Sequence, residues 1–314
     1  MDARWREVLA TGQRPGRSGG VADALVARAS EVAACLPKKK TPPLGGGPID
    51  LVVPGNGFKC LYYLGVVTVL EAAGVEVRRF AGASSGAMLA FELLVLGTRA
   101  TVDLYAAYGA LQDERPAWTF AGAAWRADRH WRMLADRVFP QEAAPTGAQT
   151  SDDDASSSSS SSWELVEGRV YASVTRLGLT SGATNVIYSE YGSQRRARDA
   201  YYATGTGLTR IDGFCATDGG VTNNLPLFGD KLRPQLLVRT KGLAAIRDDM
   251  IARFSLADVD ATVRLGQDDC VAFLERAAAA APPSNGDCEK LPGDAVLVSP
   301  GGNIQLLPRG QTSI

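Results

Sequence analysis

Three short segments hold residue types that suit nucleophilic attack on a carbonyl. Gly82-Ala83-Ser84-Ser85-Gly86 follows the G-x-S-x-G pattern. In that pattern a serine sits on a sharp strand-to-helix turn, and the flanking glycines let neighbouring backbone approach where a Cβ would collide. Its hydroxyl then stands at a helix N-terminus, where the N–H of Ser85 and the positive end of the dipole can stabilise a developing oxyanion. A small-residue turn that merely packs a helix against a sheet fits the same letters. The second segment, Gly55-Asn56-Gly57-Phe58-Lys59-Cys60, also falls between a strand-like run and a helix. As a dinucleotide loop it has Cys60 where a third glycine is required, and the next strand ends without an acidic residue for a ribose. Lys59 is not followed by Ser or Thr, so it is not a Walker loop either. What remains is a tight loop whose N–H groups could serve as an oxyanion hole. The third segment, Asp218-Gly219-Gly220, is an aspartate in a glycine turn, which is a turn former or, beside the other two segments, a base.

The 314 residues include 33 Lys+Arg, 34 Asp+Glu, five cysteines and one histidine. One histidine cannot build a multi-histidine metal site, and it leaves His130 as the single imidazole for any Ser-His-Asp arrangement. The net charge of -1 gives no global reason to expect nucleic-acid binding. Cys35, Cys60, Cys215, Cys270 and Cys288 are far apart with no C-x-x-C, which argues against a disulfide framework or a zinc knuckle and fits a reducing compartment. The most apolar stretch, Met88 to Leu96, carries Glu92 and is well short of the roughly 20 residues that span a bilayer.

Strand-like and helix-like runs alternate along the chain around these segments. Ile49–Val53, Val75–Ala81, Arg169–Thr175, Asn185–Tyr188 and Leu236–Arg239 are expected strands; Leu61–Ala73, Ala87–Leu96 and Val263–Ala280 are expected helices, with further helical material over 102–138. The βαβ order predicts an α/β fold with a mostly parallel sheet covered on both faces. Residues 1–48 are expected to be an N-terminal arm and Pro/Gly linker, 49–280 the folded domain, and 281–314 a C-terminal tail. A Ser/Asp-rich insertion at 141–162 (SDDDASSSSSSS at its end) has nothing to bury and is expected to be disordered. Trp125 to Val138 puts Ala127, Trp131, Leu134 and Val138 on one helical face, which suits either an interfacial helix for anionic lipid or an ordinary surface helix. His130 lies in this helix among arginines, upstream of Asp218, and is expected to be a surface or interfacial side chain.

Taken together the three segments resemble the patatin-like phospholipase family, and most closely its animal-type triacylglycerol lipase branch. Gly55-Asn56-Gly57-Phe58 with Leu61-Tyr62-Tyr63-Leu64-Gly65-Val66 is similar to that branch's oxyanion loop and first helix, and Phe80 to Ala87 to its nucleophile elbow. Gly168-Arg169-Val170 through Arg176, then Asn185-Val186-Ile187, resemble its mid-domain strands, and Asp218 to Leu227 its aspartate segment. The resemblance covers roughly Ile49 to Glu275. It implies a three-layer α/β/α sandwich and cofactor-free, metal-free hydrolysis of fatty-acyl esters by a Ser-Asp dyad. Ser84 would be the nucleophile and Asp218 the base. Gly55, Asn56, Gly57, Phe58 and Ser85 would form the oxyanion hole, and Gly82, Gly86, Gly219 and Gly220 would support the turns. The implied substrate is a lipid ester, either triacylglycerol or phospholipid, met at a membrane or lipid-droplet surface. The implied location is cytoplasmic, with a plastid left open, and there is room for a protein co-activator. This sequence departs from the family at Cys60, at Asn56, and at Ala203-Thr204-Gly205-Thr206-Gly207, which lacks the usual proline and looks shortened; the last departure predicts a displaced Asp218. Two other readings are a catalytically degenerate module that binds lipid or protein, and a nucleotide-binding oxidoreductase.

Overall fold

A computed structural model describes residues 18–37, 44, 46–114, 134–140, 161–178, 180, 182–205, 208–230, 232–240, 246, 254–280, 297–298 and 303–307. Strand β1 (Ile49–Val53) is buried along its whole length, the pattern of a strand covered on both faces. It pairs in parallel with β2 (Val77–Ala83) on one side and with β7 (Gln235–Val238) on the other, and β2 pairs in parallel with β3 (Val170–Gly178). The margins are antiparallel. On one side β3 pairs with β4 (Gly182–Tyr188) and β6 (Phe214–Asp218), and β6 with β5 (Thr209–Ile211); on the other, β7 pairs with β9 (Ile304–Leu307), and β9 with β8 (Leu297–Val298). The protein is therefore α/β with a mixed central sheet and helices around it, where the βαβ pattern alone predicts a mostly parallel one. The physical reason lies in the connections. β5–β6 and β3–β4 are joined by links of a few residues, too short for the crossover that a parallel pair requires.

Helix α2 (Leu61–Ala72) is buried from Leu61 through Leu70, so it is a core helix and not an amphipathic cover. It crosses α6 (Leu256–Ala280) with backbones nearly touching: a Cβ on Gly65 would strike the Val263 carbonyl, and one on Gly266 the Tyr62 carbonyl. Two domain boundaries need correction. Helix α1 (Ser18–Ala34) buries Ala22, Leu25 and Ala29 in the main core, and Arg28 binds Gln267 at 2.9 Å and Asp268 at 2.6 Å, both on α6. Residues 18–34 of the expected arm thus belong to the fold. At the other end β8 and β9 extend the sheet from β7, so 281–314 is not simply a tail. The Ser-rich insertion, apart from its last two residues, lies outside the described residues, as does the segment holding His130, Ala127 and Trp131. Leu134 and Val138, two of the residues on the apolar face of that segment, are buried in the core.

β3 fixes the position of the candidate site. Residues 172–178 pair with β4, residues 170–173 with β2, and residues 174–177 with β6. A strand has only two edges, so β2 and β6 share the edge opposite β4 and meet there end to end. The last residue of β2, Ala83, sits opposite Ser173, and the last residue of β6, Asp218, opposite Val174. Helix α3 (Ser84–Leu96) begins at this junction, flanked by α4 (Thr98–Glu114) and α5 (Gln194–Gly205).

Candidate active site

β2 passes into α3 with no residue between them, and the reversal falls on Ser84, whose φ is +50°. A residue with a Cβ occupies that left-handed region at a cost of about 1–2 kcal/mol. The surroundings hold it there. A Cβ on Gly82 would come within 2.6 Å of the Ala87 nitrogen, and one on Gly86 would run into the carbonyls of Val53 and Pro54. Both positions therefore admit only glycine. The Ser84 N–H donates to Thr204 Oγ1 at 3.2 Å, and the Thr204 hydroxyl donates in turn to the Ser173 carbonyl at 2.7 Å. Thr204 lies in the last turn of α5, the stretch that looks shortened in sequence. Its role is missed there because a threonine at a helix end carries no local signal of what it touches.

Asp218 ends β6, and its carboxylate faces Ser84 across the junction. Ser84 Oγ donates to Oδ2 at 2.7 Å, although the two residues are 134 apart in the chain, and the Gly220 N–H donates to Oδ1 at 2.7 Å. The Thr175 hydroxyl anchors the Asp218 carbonyl at 2.8 Å, and Gly219 lies so close to the Ser173 carbonyl that a Cβ would collide. The displacement of Asp218 predicted from the missing proline is absent. Burial raises the pKa of this carboxyl above its ordinary value, against the opposing hydrogen bonds from Ser84 and Gly220. A carboxylate that is partly desolvated and already accepts the serine proton is a stronger base than an exposed one.

The loop after β1 abuts the nucleophile turn: a Cβ on Gly55 would lie 2.5 Å from the Ser84 Cβ. Two of the amides expected to line an oxyanion hole are engaged within the protein. Gly55 N–H donates to Asn224 Oδ1 at 2.9 Å while Asn224 Nδ2 donates back to the Gly55 carbonyl at 3.1 Å, and Asn56 N–H donates to Ser85 Oγ at 3.2 Å. The Asn56 side chain is tied to Thr240. Gly55 and Asn56 thus shape the loop and do not present free N–H donors. Gly57, at φ +56°, starts a short 3₁₀ turn (Gly57–Cys60); the N-cap residues Asn56 and Ala83 make no side-chain cap to that turn or to α3, whose first amide, Ser84 N–H, is held by Thr204. The amides of Gly57 and Ser85 stand at the starts of these two helical turns. Phe58 packs its ring on Tyr108 and Phe254. Cys60 is fully buried, and burial, with Glu92 nearby, pushes its thiol up to about 12, which removes it as a nucleophile.

The chain matches no protein-family model and no curated protein sequence. Among the described residues no helix is long and apolar enough to cross a membrane. The arrangement offers the hydroxyl of a serine in left-handed backbone, a half-buried carboxylate that accepts its hydrogen bond, and the starts of two helical turns beside it, parts that acyl transfer can use.

Proposed function

We propose that the protein is a serine acyl hydrolase that cleaves fatty-acyl esters of lipids through a Ser84-Asp218 dyad, on a patatin-like three-layer α/β/α fold. The observation that carries the reading is the 2.7 Å hydrogen bond from Ser84 Oγ to Asp218, made by a serine held at φ +50°. Ser84 Oγ attacks the ester carbonyl as its proton passes to Asp218. The negative oxygen of the tetrahedral intermediate sits under the amides of Gly57, Phe58 and Ser85. Collapse returns the proton from Asp218 to the departing alcohol and leaves an acyl-serine. A water that gives its proton to Asp218 then attacks the acyl carbon, and the second collapse frees the fatty acid and restores the Ser84 hydroxyl.

No cofactor or metal enters these steps. Lipid as the substrate class is supported by the motif resemblance and by Val221, 67% exposed on the turn that follows Asp218. The working location in this reading is cytoplasmic and peripheral, at a membrane or lipid-droplet surface. A fluorophosphonate probe tests the proposal: it should label the folded protein and fail to label Ser84→Ala. A folded wild type that takes no label overturns the hydrolase reading. Fatty-acid release from defined triacylglycerols and phospholipids would then assign the substrate.

A further inference from the structure

The segments that carry Ser84 and Asp218 share one buried anchor that takes no part in the steps above. Ser173 on β3 is 0% exposed and stands where β3 changes partners: it pairs with Ala83 of β2, while its neighbour Val174 pairs with Asp218 of β6. The Ser173 carbonyl accepts the Thr204 hydroxyl at 2.7 Å, and Thr204, also 0% exposed, accepts the Ser84 N–H at 3.2 Å. The Ser173 hydroxyl serves the other segment. It donates to the Asn223 carbonyl at 2.9 Å, with the Gly219 carbonyl at 3.3 Å, and it accepts the Asn185 side-chain amide at 2.7 Å. Ser173 is thus tied through its carbonyl to the nucleophile and through its hydroxyl to the turn that follows Asp218.

Thr204 does not bond as a helical threonine ordinarily does. Such a residue commonly turns its hydroxyl onto the carbonyl one turn back, whereas Thr204, in the last turn of α5, directs both its proton and a lone pair across the fold. The amide it receives is the first of α3, and Ala83 before it has no polar side chain with which to cap it. Packing sets where Thr204 stands. Ala203 is fully enclosed, and a Cβ on Gly205 would come within 2.1 Å of Met88 Sδ on α3, so the end of α5 is pressed against the helix that Ser84 begins. A serine at φ +50° keeps that conformation only where its neighbours over-determine it, and Thr204 is the neighbour that holds its amide.

We propose that Thr204 and Ser173 are positioning residues that act as one strut: Thr204 fixes the Ser84 backbone to β3, Ser173 fixes the turn after Asp218 to the same point of that strand, and together they set the 2.7 Å gap across which the serine proton passes. This inference rests on the hydrolase reading and adds to it two residues that touch neither substrate nor the reacting atoms. Without the Thr204 hydroxyl, the Ser84 N–H is left unpaired and the Ser173 carbonyl loses a donor. The serine is then free to leave φ +50°, which swings its Oγ away from Asp218 Oδ2. Nucleophile, base and substrate contacts all remain, so the loss falls on the chemical step and not on binding.

The test measures hydrolysis of a soluble short-chain ester and the rate of fluorophosphonate labelling, on variants whose folding is checked by circular dichroism. Thr204→Val keeps the shape of the side chain and removes both hydrogen bonds. Its kcat and labelling rate should fall by about 10²-fold, the cost of a misplacement near 1 Å, with KM within about twofold of wild type, as for an interaction that matters only in the transition state. Thr204→Ser keeps the hydroxyl and loses the methyl; it should recover most of the loss, which a role in packing alone would not produce. Ser173→Ala removes only the tie to the turn after Asp218 and should lower kcat by roughly 3- to 10-fold, the worth of one such hydrogen bond. The double variant should lose less than the product of the two single losses, as residues acting as a unit do. A folded Thr204→Val or Ser173→Ala with kcat unchanged, a Thr204→Ser as slow as Thr204→Val, or strictly multiplicative losses overturn the strut and leave the hydrolase standing. Where Thr204→Val does not fold, Ser173→Ala decides by the same criterion. A folded wild type that neither labels nor turns over overturns the hydrolase reading, and this inference with it.

Discussion

Two strand-to-helix passages lie side by side at the carboxyl ends of β1 and β2, and they make the same reversal by opposite means. After β1 the chain runs through Pro54–Cys60 before α2 begins, and the left-handed residue is Gly57 at φ +56°. After β2 there is no intervening residue, and the left-handed residue is Ser84 itself at φ +50°. Glycine takes that conformation without steric cost, whereas serine does not. The longer passage turns its first amides inward, to Asn224 and Ser85; the shorter one presents its side chain to a carboxylate. A reactive side chain can thus be placed on a strained residue only where neighbours over-determine it. Here those neighbours are Thr204, Asp218 and the bare backbones of Gly55, Gly82 and Gly86.

The sharpest way to test this contrast is to disable the group facing the strained serine. Asp218→Asn keeps the shape and removes the base, and should lower ester turnover by about 10²- to 10⁴-fold with the circular dichroism spectrum unchanged; near-normal turnover would mean that Ser84 is not activated by its neighbour. Next in size is Gly86→Ala. Its methyl would press on the Val53 and Pro54 carbonyls, which join the two passages, and a loss of about 1–3 kcal/mol in urea unfolding is expected from such overpacking. A mirror pair of substitutions probes the strain directly. Ser84→Gly should stabilise the protein and Gly57→Ala destabilise it, each by about 1 kcal/mol; equal signs would show that the two left-handed residues are not held alike. The smallest effect belongs to His130→Ala, which should leave kcat/KM within about twofold, since a carboxylate base needs no imidazole; a loss of about 10³-fold would instead place His130 in a triad.

Much of this arrangement is legible in the amino-acid order, and the parts that are not share a cause. The runs Ile49–Val53 and Leu61–Leu70 are largely apolar, Asp50 and Thr68 apart, because both are enclosed, and such a run announces itself. The G-x-S-x-G turn is legible because backbone contacts on both sides exclude any Cβ at Gly82 and Gly86. Helix α1 has a weaker signal: Ala22, Leu25 and Ala29 fall on one face, yet alanines bury too little area to mark it. β9 is four residues long, and its identity as a strand depends on β7, whose pairing residues lie nearly seventy positions away. Thr204 and Asn224 are the clearest omissions. Each is a polar residue whose only distinction is what it hydrogen-bonds across the fold, to Ser84 and Gly55 respectively, and no spacing rule within its own segment encodes that.

The meeting of β2 and β6 along one edge of β3 has a consequence for how this protein tolerates change in length. The hydroxyl and the carboxylate are brought together by counting along β3, with Ala83 opposite Ser173 and Asp218 opposite Val174. The length of the Ser-rich stretch between 140 and 161 does not enter that count, so residues added or removed there should leave both groups in register. A single residue deleted within β6 is a different matter. It would draw Asp218 back by about 3.3 Å and turn its side chain to the other face of the sheet, leaving the serine without a base.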